Sequence, residues 1–144
     1  MDAPDRFLVL CGMPATTHST ITGGCHCGAV RYELDAPLGF QILCQCRNCQ
    51  QMSGSGFSTL TQAPKAQLVI RGPVTAYEYD NNGRGSMRRK LFCAKCGSPI
   101  CGGNPVEDFV TLSGASLDNP SLFTPREIIH PDEARPWDRS AVSS

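Results

Sequence analysis

The sequence reads CQCRNC at residues 44–49, so that three of six consecutive positions are cysteine. Two further clusters lie on either side: CHC at residues 25–27 and CAKC at residues 93–96, the latter followed by Gly97. Closely spaced thiolates can bind one ion, because a tight turn points both sulfur atoms in the same direction, and zinc takes four such ligands in a tetrahedron. The three clusters therefore predict a small domain organised around bound Zn²⁺.

The first and last clusters each supply two cysteines, which together make one closed four-thiolate site. This assignment uses Cys25, Cys27, Cys93 and Cys96. The spacing alone also permits an exchange, in which two cysteines of the middle cluster replace the first pair. Zinc binding supplies about 10–16 kcal/mol of apparent free energy in small metal domains, so a site of this kind would add strongly to the stability of the fold.

The middle cluster supplies three cysteines, Cys44, Cys46 and Cys49, and leaves one position of a tetrahedral ion free for water or substrate. Three thiolates give Zn²⁺ a negative local charge, which makes the ion a weak Lewis acid but lets it hold an incoming thiol as a nucleophilic thiolate. The cluster therefore indicates thiol chemistry and not hydrolysis. The alternative is a second structural site that a histidine or Cys101 completes. Cys101 lies in an apolar stretch, however, and is expected to be a small buried residue.

The composition describes one globular domain of 144 residues, 40% hydrophobic and 18% charged, with 13 basic and 13 acidic side chains. A net charge near zero argues against a nucleic-acid or anionic-membrane partner, since both need a basic excess. No apolar run approaches the roughly 20 residues of a membrane span, and residues 7–11 are too short an apolar run for a secretory signal. Nine cysteines without such a signal favour the reducing cytoplasm, where clustered cysteines indicate metal binding or catalysis and not disulfides.

Short apolar runs between frequent Gly and Pro residues predict a mainly β domain of short antiparallel strands. Residues 1–19 are expected to be a loosely ordered extension that includes Cys11, residues 20–139 the zinc domain, and residues 140–144 a frayed tail. Helical candidates are confined to residues 47–52 and to one turn within 117–122, and the sequence Asn81-Asn82-Gly83 predicts a hairpin turn. Strands are expected at residues 29–34, 40–44, 57–61, 67–70, 74–79, 87–92, 109–112 and 127–129.

One basic run lies in and before a predicted strand. It comprises Arg84, Arg88, Arg89 and Lys90. Because side chains alternate along a strand, the run is divided between two faces. Solvated charges are the simpler interpretation; the alternative is that one or two of these cations, or Arg47 beside the metal loop, attract the carboxylates of a thiol substrate. His130 is a candidate proton carrier, since an alkoxide formed from an aldehyde needs a proton.

These motifs resemble those of the glutathione-dependent formaldehyde-activating enzyme family, also called CENP-V/GFA. The resemblance is carried by GCHCGAVRY at residues 24–32, CQCRNC at 44–49 with SGS at 53–55, and FCAKCGS at 92–98. It implies a CENP-V/GFA-type fold, mainly β, with small antiparallel sheets around the zinc sites and few short helices. It also implies a structural zinc ion held by the first and last clusters and a catalytic zinc site formed by the middle cluster.

The resemblance further implies a zinc-dependent carbon–sulfur lyase that adds glutathione or a similar small thiol to a small aldehyde, giving an S-hydroxymethyl adduct when the aldehyde is formaldehyde. Two positions depart from the family's pattern: Gln45, where the family often has His, and Gln50, where it often has Arg. Neither is a metal ligand, so the departures concern substrate choice and the tuning of the metal site. Two other functions stay open. One is a non-catalytic, zinc-stabilised binding module, and the other is a redox sensor in which Cys46 and Cys49 form a releasable disulfide.

Overall fold

The computed structural model describes residues 19–81 and 86–138. Several sequence predictions fall outside these ranges: nearly all of the N-terminal extension with Cys11, the turn residues Asn82 and Gly83, the cation Arg84, and the tail at residues 140–144. The domain bounds given above therefore stay a prediction. Within the described ranges the chain is mainly β, as the sequence predicts, and none of its helices is long and apolar enough to cross a membrane.

The described part of the chain contains ten strands and one short α-helix, α1, at Arg47–Ser53. Two strands are absent from the sequence prediction, because their sequences ITGG and PICGG contain the Gly and Pro residues that usually interrupt strands. The predicted turn within 117–122 is a single 3₁₀ turn at Pro120–Leu122. The strands are β1 Ile21–Gly24, β2 Arg31–Leu34, β3 Gln41–Cys44, β4 Ser58–Pro64, β5 Leu68–Arg71, β6 Val74–Asp80, β7 Met87–Cys93, β8 Pro99–Gly103, β9 Phe109–Ser113 and β10 Glu127–Ile129.

The strands form two sheets. The smaller has the order β1-β2-β5, and the larger has seven strands in the order β10-β3-β4-β9-β8-β7-β6. Every neighbouring pair is antiparallel except β10 and β3, which are parallel, with Ile129 opposite Cys44. This parallel pair differs from the all-antiparallel expectation. It is possible because β3 and β10 lie far apart in the chain, and parallel neighbours need a long connection.

The core lies where buried side chains of the two sheets meet. Tyr32 and Leu34 on β2 are buried together with Ala63 on β4 and Leu112 on β9. These residues alternate with more exposed neighbours, as expected for strands with one face in the core. The small sheet therefore covers part of one face of the large sheet, and the opposite face is left to form a cleft.

Candidate metal centres and the adjoining cleft

Four thiols from two distant turns converge at one end of the large sheet. Cys25 and Cys27 follow β1, Cys93 ends β7, and Cys96 lies in the turn before β8. The Sγ atoms of Cys25 and Cys27 are 3.6 Å apart, those of Cys27 and Cys93 are 3.8 Å apart, and all four lie within 4.8 Å of one another. A tetrahedral zinc ion with Zn–S bonds of about 2.3 Å places its sulfur ligands about 3.8 Å apart. The four thiols could therefore hold a metal ion with little movement.

The two turns also direct hydrogen-bond donors at the sulfur atoms. The amide of Val30 donates to Cys25 Sγ at 3.2 Å, and the amides of Lys95 and Cys96 donate to Cys93 Sγ at 3.3 and 3.4 Å. A hydrogen bond with Ser98 lowers the pKa of the Cys96 thiol to about 5. Donors of this kind favour the thiolate form, which is the form that binds metal.

The second group of thiols lies at the junction of β3 and α1. Cys44 is the last residue of β3, Cys46 is the N-cap of α1, and Cys49 lies in the first turn of the helix. The three Sγ atoms lie within 4.8 Å of one another, and Cys46 Sγ also accepts a hydrogen bond from the Cys49 amide at 3.4 Å. Hydrogen bonds from the Cys44 and Cys49 thiols hold the pKa of Cys46 far below its usual value, and the same contact raises the pKa of Cys44. The three sulfur atoms are therefore close enough to share one cation.

No fourth ligand joins this trio within residues 19–81 and 86–138. Among them, no further cysteine, histidine or carboxylate lies within 4.8 Å of all three thiols. Cys101 is only 4% exposed and packs in the core with Leu112, as the sequence predicts for a small buried residue, and burial raises its pKa to about 11. Of the two pairings left open by the spacing, the structure contains the one that joins the first and last clusters. No disulfide links any of the eight cysteines that are described.

The cysteine trio opens into a cleft with a volume of about 790 Å³, which lies within the range typical of small-molecule sites. One face of the large sheet forms its floor, because strand register places alternate residues of β3, β4, β9, β8 and β7 on the same side. These residues include Ile42, Leu60, Thr111, Arg88 and Lys90. The cleft is therefore apolar near the middle of the sheet and cationic towards β7.

His130 lies on the same cleft, directly after β10. It adopts a left-handed backbone conformation with φ of 58°, which is uncommon for a residue other than glycine. Its Nδ1 lies 3.7 Å from Glu133 Oε2, while Glu133 Oε1 accepts a hydrogen bond from the Arg47 amide at 2.9 Å. Glu133 thus joins the imidazole to the loop that carries the cysteine trio. No sequence motif surrounds Glu133, so the sequence alone does not identify it as part of the site.

The two glutamines that depart from the family pattern are both buried. Gln45 is fully buried and lies between Cys44 and Cys46 in the chain, and neither polar atom of its side-chain amide has a hydrogen-bond partner in the part of the chain that the structure describes. Gln50 donates from Nε2 to the backbone carbonyls of Gln45 and Glu133, both at 2.8 Å. Gln50 therefore attaches α1 to the segment that carries His130.

The basic run is divided between two faces, as strand alternation predicts. All three of Arg88, Arg89 and Lys90 line the cleft, but strand alternation puts the side chains of Arg88 and Lys90 on the cleft face and that of Arg89 on the opposite face, where it pairs with Glu78 at 2.7 Å. Arg47 is exposed, and its contact in the site is made by its backbone amide. Of the cations considered from the sequence, Arg88 and Lys90 are the two whose side chains the strand register directs to the cleft that contains the cysteine trio.

Known proteins resemble this chain at the level of a family, of individual sequences and of solved structures. The family profile described as "Glutathione-dependent formaldehyde-activating enzyme" (GFA) matches residues 20–133. A Halomonas elongata protein named "Putative glutathione-dependent formaldehyde-activating enzyme" is 28% identical over 114 residues, which cover 76% of this chain and 73% of that protein. The crystal structure of a Rhodobacter sphaeroides protein has a TM-score of 0.57 at 21% identity and covers 74% of this chain and 98% of that one. The last likeness concerns the fold.

Proposed function

The chain belongs to the glutathione-dependent formaldehyde-activating enzyme family, and we propose that it is a zinc-dependent carbon–sulfur lyase. In the synthetic direction it would add a small thiol of the glutathione type to a small aldehyde, giving an S-hydroxymethyl adduct from formaldehyde. The family profile and the name of the Halomonas relative support this class of reaction. The proposal includes a cytoplasmic location, where small thiols stay reduced.

The two groups of cysteines would then have different roles. Cys25, Cys27, Cys93 and Cys96 would form a structural zinc site, because four thiolates complete a tetrahedron. Cys44, Cys46 and Cys49 would form the reactive site. A zinc ion bound there would supply the chemistry of a thiolate held ready at neutral pH.

The reaction forms one carbon–sulfur bond and needs no oxidant or reductant. The thiol sulfur loses its proton and attacks the aldehyde carbon, and the carbonyl π electrons move to the oxygen. A proton is then delivered to that oxygen, so the addition consumes and releases no net proton. His130 would deliver this proton, and two observations support the role: it lines the cleft, and its Nδ1 lies 3.7 Å from Glu133 Oε2. The apolar floor of the cleft would keep the small aldehyde beside the thiol.

A single observation carries the proposal. The cysteine trio has no fourth protein ligand among the described residues, and its open side faces a cleft large enough for a tripeptide thiol. A purely structural site would be closed by a fourth side chain. The geometry therefore favours a reactive centre over a binding module.

The test compares Cys46→Ser with Cys101→Ala. Serine replaces the capping Sγ of Cys46 with a hydroxyl oxygen that can accept the same hydrogen bond from the Cys49 amide, so the helix is expected to survive while the trio loses a thiolate. Two-dimensional exchange NMR of formaldehyde with glutathione measures the rate at equilibrium, and the uncatalysed exchange is subtracted. We expect Cys46→Ser to abolish the enzyme-dependent increment and Cys101→Ala to keep it. An increment that survives in Cys46→Ser would contradict the mechanism, and its absence in the wild type would favour the binding module.

A further inference from the structure

We propose that Arg88 and Lys90 form a carboxylate-binding subsite that makes the protein selective for thiols carrying carboxylates. The inference rests on the proposed function, since it concerns the thiol that would occupy the same cleft. In this proposal, two residues of β7 bind the carboxylates of the substrate, which lie away from its sulfur atom.

The register of the β6–β7 hairpin places both cations on the cleft face. Arg88 lies opposite Tyr79, and Lys90 lies opposite Tyr77. The residue between the two cations is on the other face, where it pairs with Glu78. Two positive charges two positions apart on one strand therefore point into the same space, and their common neighbour does not.

Neither cation has an ion-pair or hydrogen-bond partner among residues 19–81 and 86–138, although other strand cations are paired. The paired ones are Arg31 with Asp118, Arg71 with Glu33, and Arg89 with Glu78. Lys90 is partly buried, and burial lowers its pKa. A partly desolvated cation without a counter-ion is unfavourable, so an anionic ligand would gain from binding there.

The subsite lies beside the cysteine trio. Asn48, next to Cys49, donates from Nδ2 to Asn81 Oδ1 at 3.2 Å and so joins α1 to the end of β6. Cys49, Arg88 and Lys90 also line the same cleft. A small peptide thiol with its sulfur at the trio could therefore extend its carboxylates towards β7. A neutral thiol would lack this second attachment.

The experiment measures binding without turnover. S-methylglutathione keeps both carboxylates but has no free thiol, and its diethyl ester has neither carboxylate. Both probes are titrated into the zinc-loaded protein by isothermal titration calorimetry. We expect Arg88→Gln and Lys90→Met each to weaken binding of S-methylglutathione by about tenfold, as expected for loss of a charged hydrogen bond, and to leave binding of the diester unchanged. Arg89→Gln removes the same charge from the other face and is expected to change neither value.

The outcomes separate the subsite from the lyase activity. Wild-type protein that does not bind S-methylglutathione, variants that bind it as the wild type does, or an equal loss in Arg89→Gln would each overturn the subsite. A protein that binds the probe selectively but does not accelerate the exchange reaction would instead overturn the proposed function alone. If Lys90→Met does not fold, Lys90→Arg keeps the charge and is expected to keep the preference for S-methylglutathione over the diester.

Discussion

At the scale of single residues, Gly54 and Gly72 show two different reasons for a positive φ. Gly54 ends α1 with φ of 70°, and a Cβ there would meet nothing within 4 Å. Gly72 follows β5 with φ of 113°, and a Cβ there would lie 2.2 Å from the Ala29 carbonyl oxygen. The first position needs glycine only for its backbone conformation. The second also needs it because the turn after β5 packs against the residues that precede β2.

We therefore predict unequal costs for the two alanine substitutions. Gly54→Ala is expected to lower the free energy of unfolding by about 1 kcal/mol, the cost of a left-handed residue with a side chain. Gly72→Ala adds a backbone clash and is expected to cost at least about 3 kcal/mol. Urea unfolding of the zinc-loaded proteins measures both. Equal losses would show that the contact with Ala29 relaxes without cost.

At the scale of elements, the important contact joins α1 to the segment after β10. Gln50 Nε2 donates hydrogen bonds to the backbone carbonyls of Gln45 and Glu133, one on each side of this junction. The Glu133 carboxylate accepts a hydrogen bond from the Arg47 amide. These contacts place the cysteine trio and His130 on the same cleft. The parallel pairing of β10 with β3 brings the two segments together, because it sets Ile129 beside Cys44.

Gln50→Met tests this junction. Methionine has nearly the same length but cannot donate, so the Gln45 carbonyl loses its side-chain donor in a buried place, while the Glu133 carbonyl keeps the 3.3 Å hydrogen bond from Arg135. We expect the free energy of unfolding to fall by about 1–3 kcal/mol, the usual cost of leaving buried polar groups without partners. The matched control is Gln51→Met at the next position, which is exposed and is expected to change stability by less than about 0.5 kcal/mol. A similar loss in both variants would mean that the Gln50 hydrogen bonds do not hold the junction.

At the scale of the whole molecule, the two cysteine groups differ in how much chain they connect. The four-thiol group joins Cys27 to Cys93, which are 66 positions apart, whereas the three-thiol group lies within residues 44–49. A link between distant positions removes more entropy from the unfolded chain than a local link. The four-thiol site is therefore expected to stabilise the fold, and the three-thiol site to contribute less.

Removal of one ligand from each site tests this difference. We expect wild-type protein to bind one zinc ion at each group, and Cys96→Ser and Cys49→Ser each to lose one by elemental analysis. Cys96→Ser is expected to be less stable than Cys49→Ser by about 2 kcal/mol, the loop-closure difference between 66 and 5 positions. Unfolding by urea gives the comparison, with Cys101→Ala as the cysteine control that keeps both ions. Equal stability of the two serine variants would contradict the assigned roles.

The sequence by itself determined the features that depend on neighbouring residues. The spacing within each cysteine cluster predicted the two groups, because ligands a few positions apart share one turn. The alternation of Arg88, Arg89 and Lys90 predicted that the basic run is divided between faces, and the apolar runs predicted most of the strands. The three motifs together also indicated the family to which the chain belongs.

Only the tertiary structure decided which distant segments become neighbours. It joined the first cluster to the last, placed Arg88 and Lys90 and not Arg89 on the cleft face, and brought Glu133 to the Arg47 amide. It also formed β1 and β8 from sequences rich in Gly and Pro, because pairing with adjacent strands outweighs their weak local preference. Local sequence fixes turn geometry and the alternation of side chains, whereas strand order and register depend on how the whole chain buries its apolar faces.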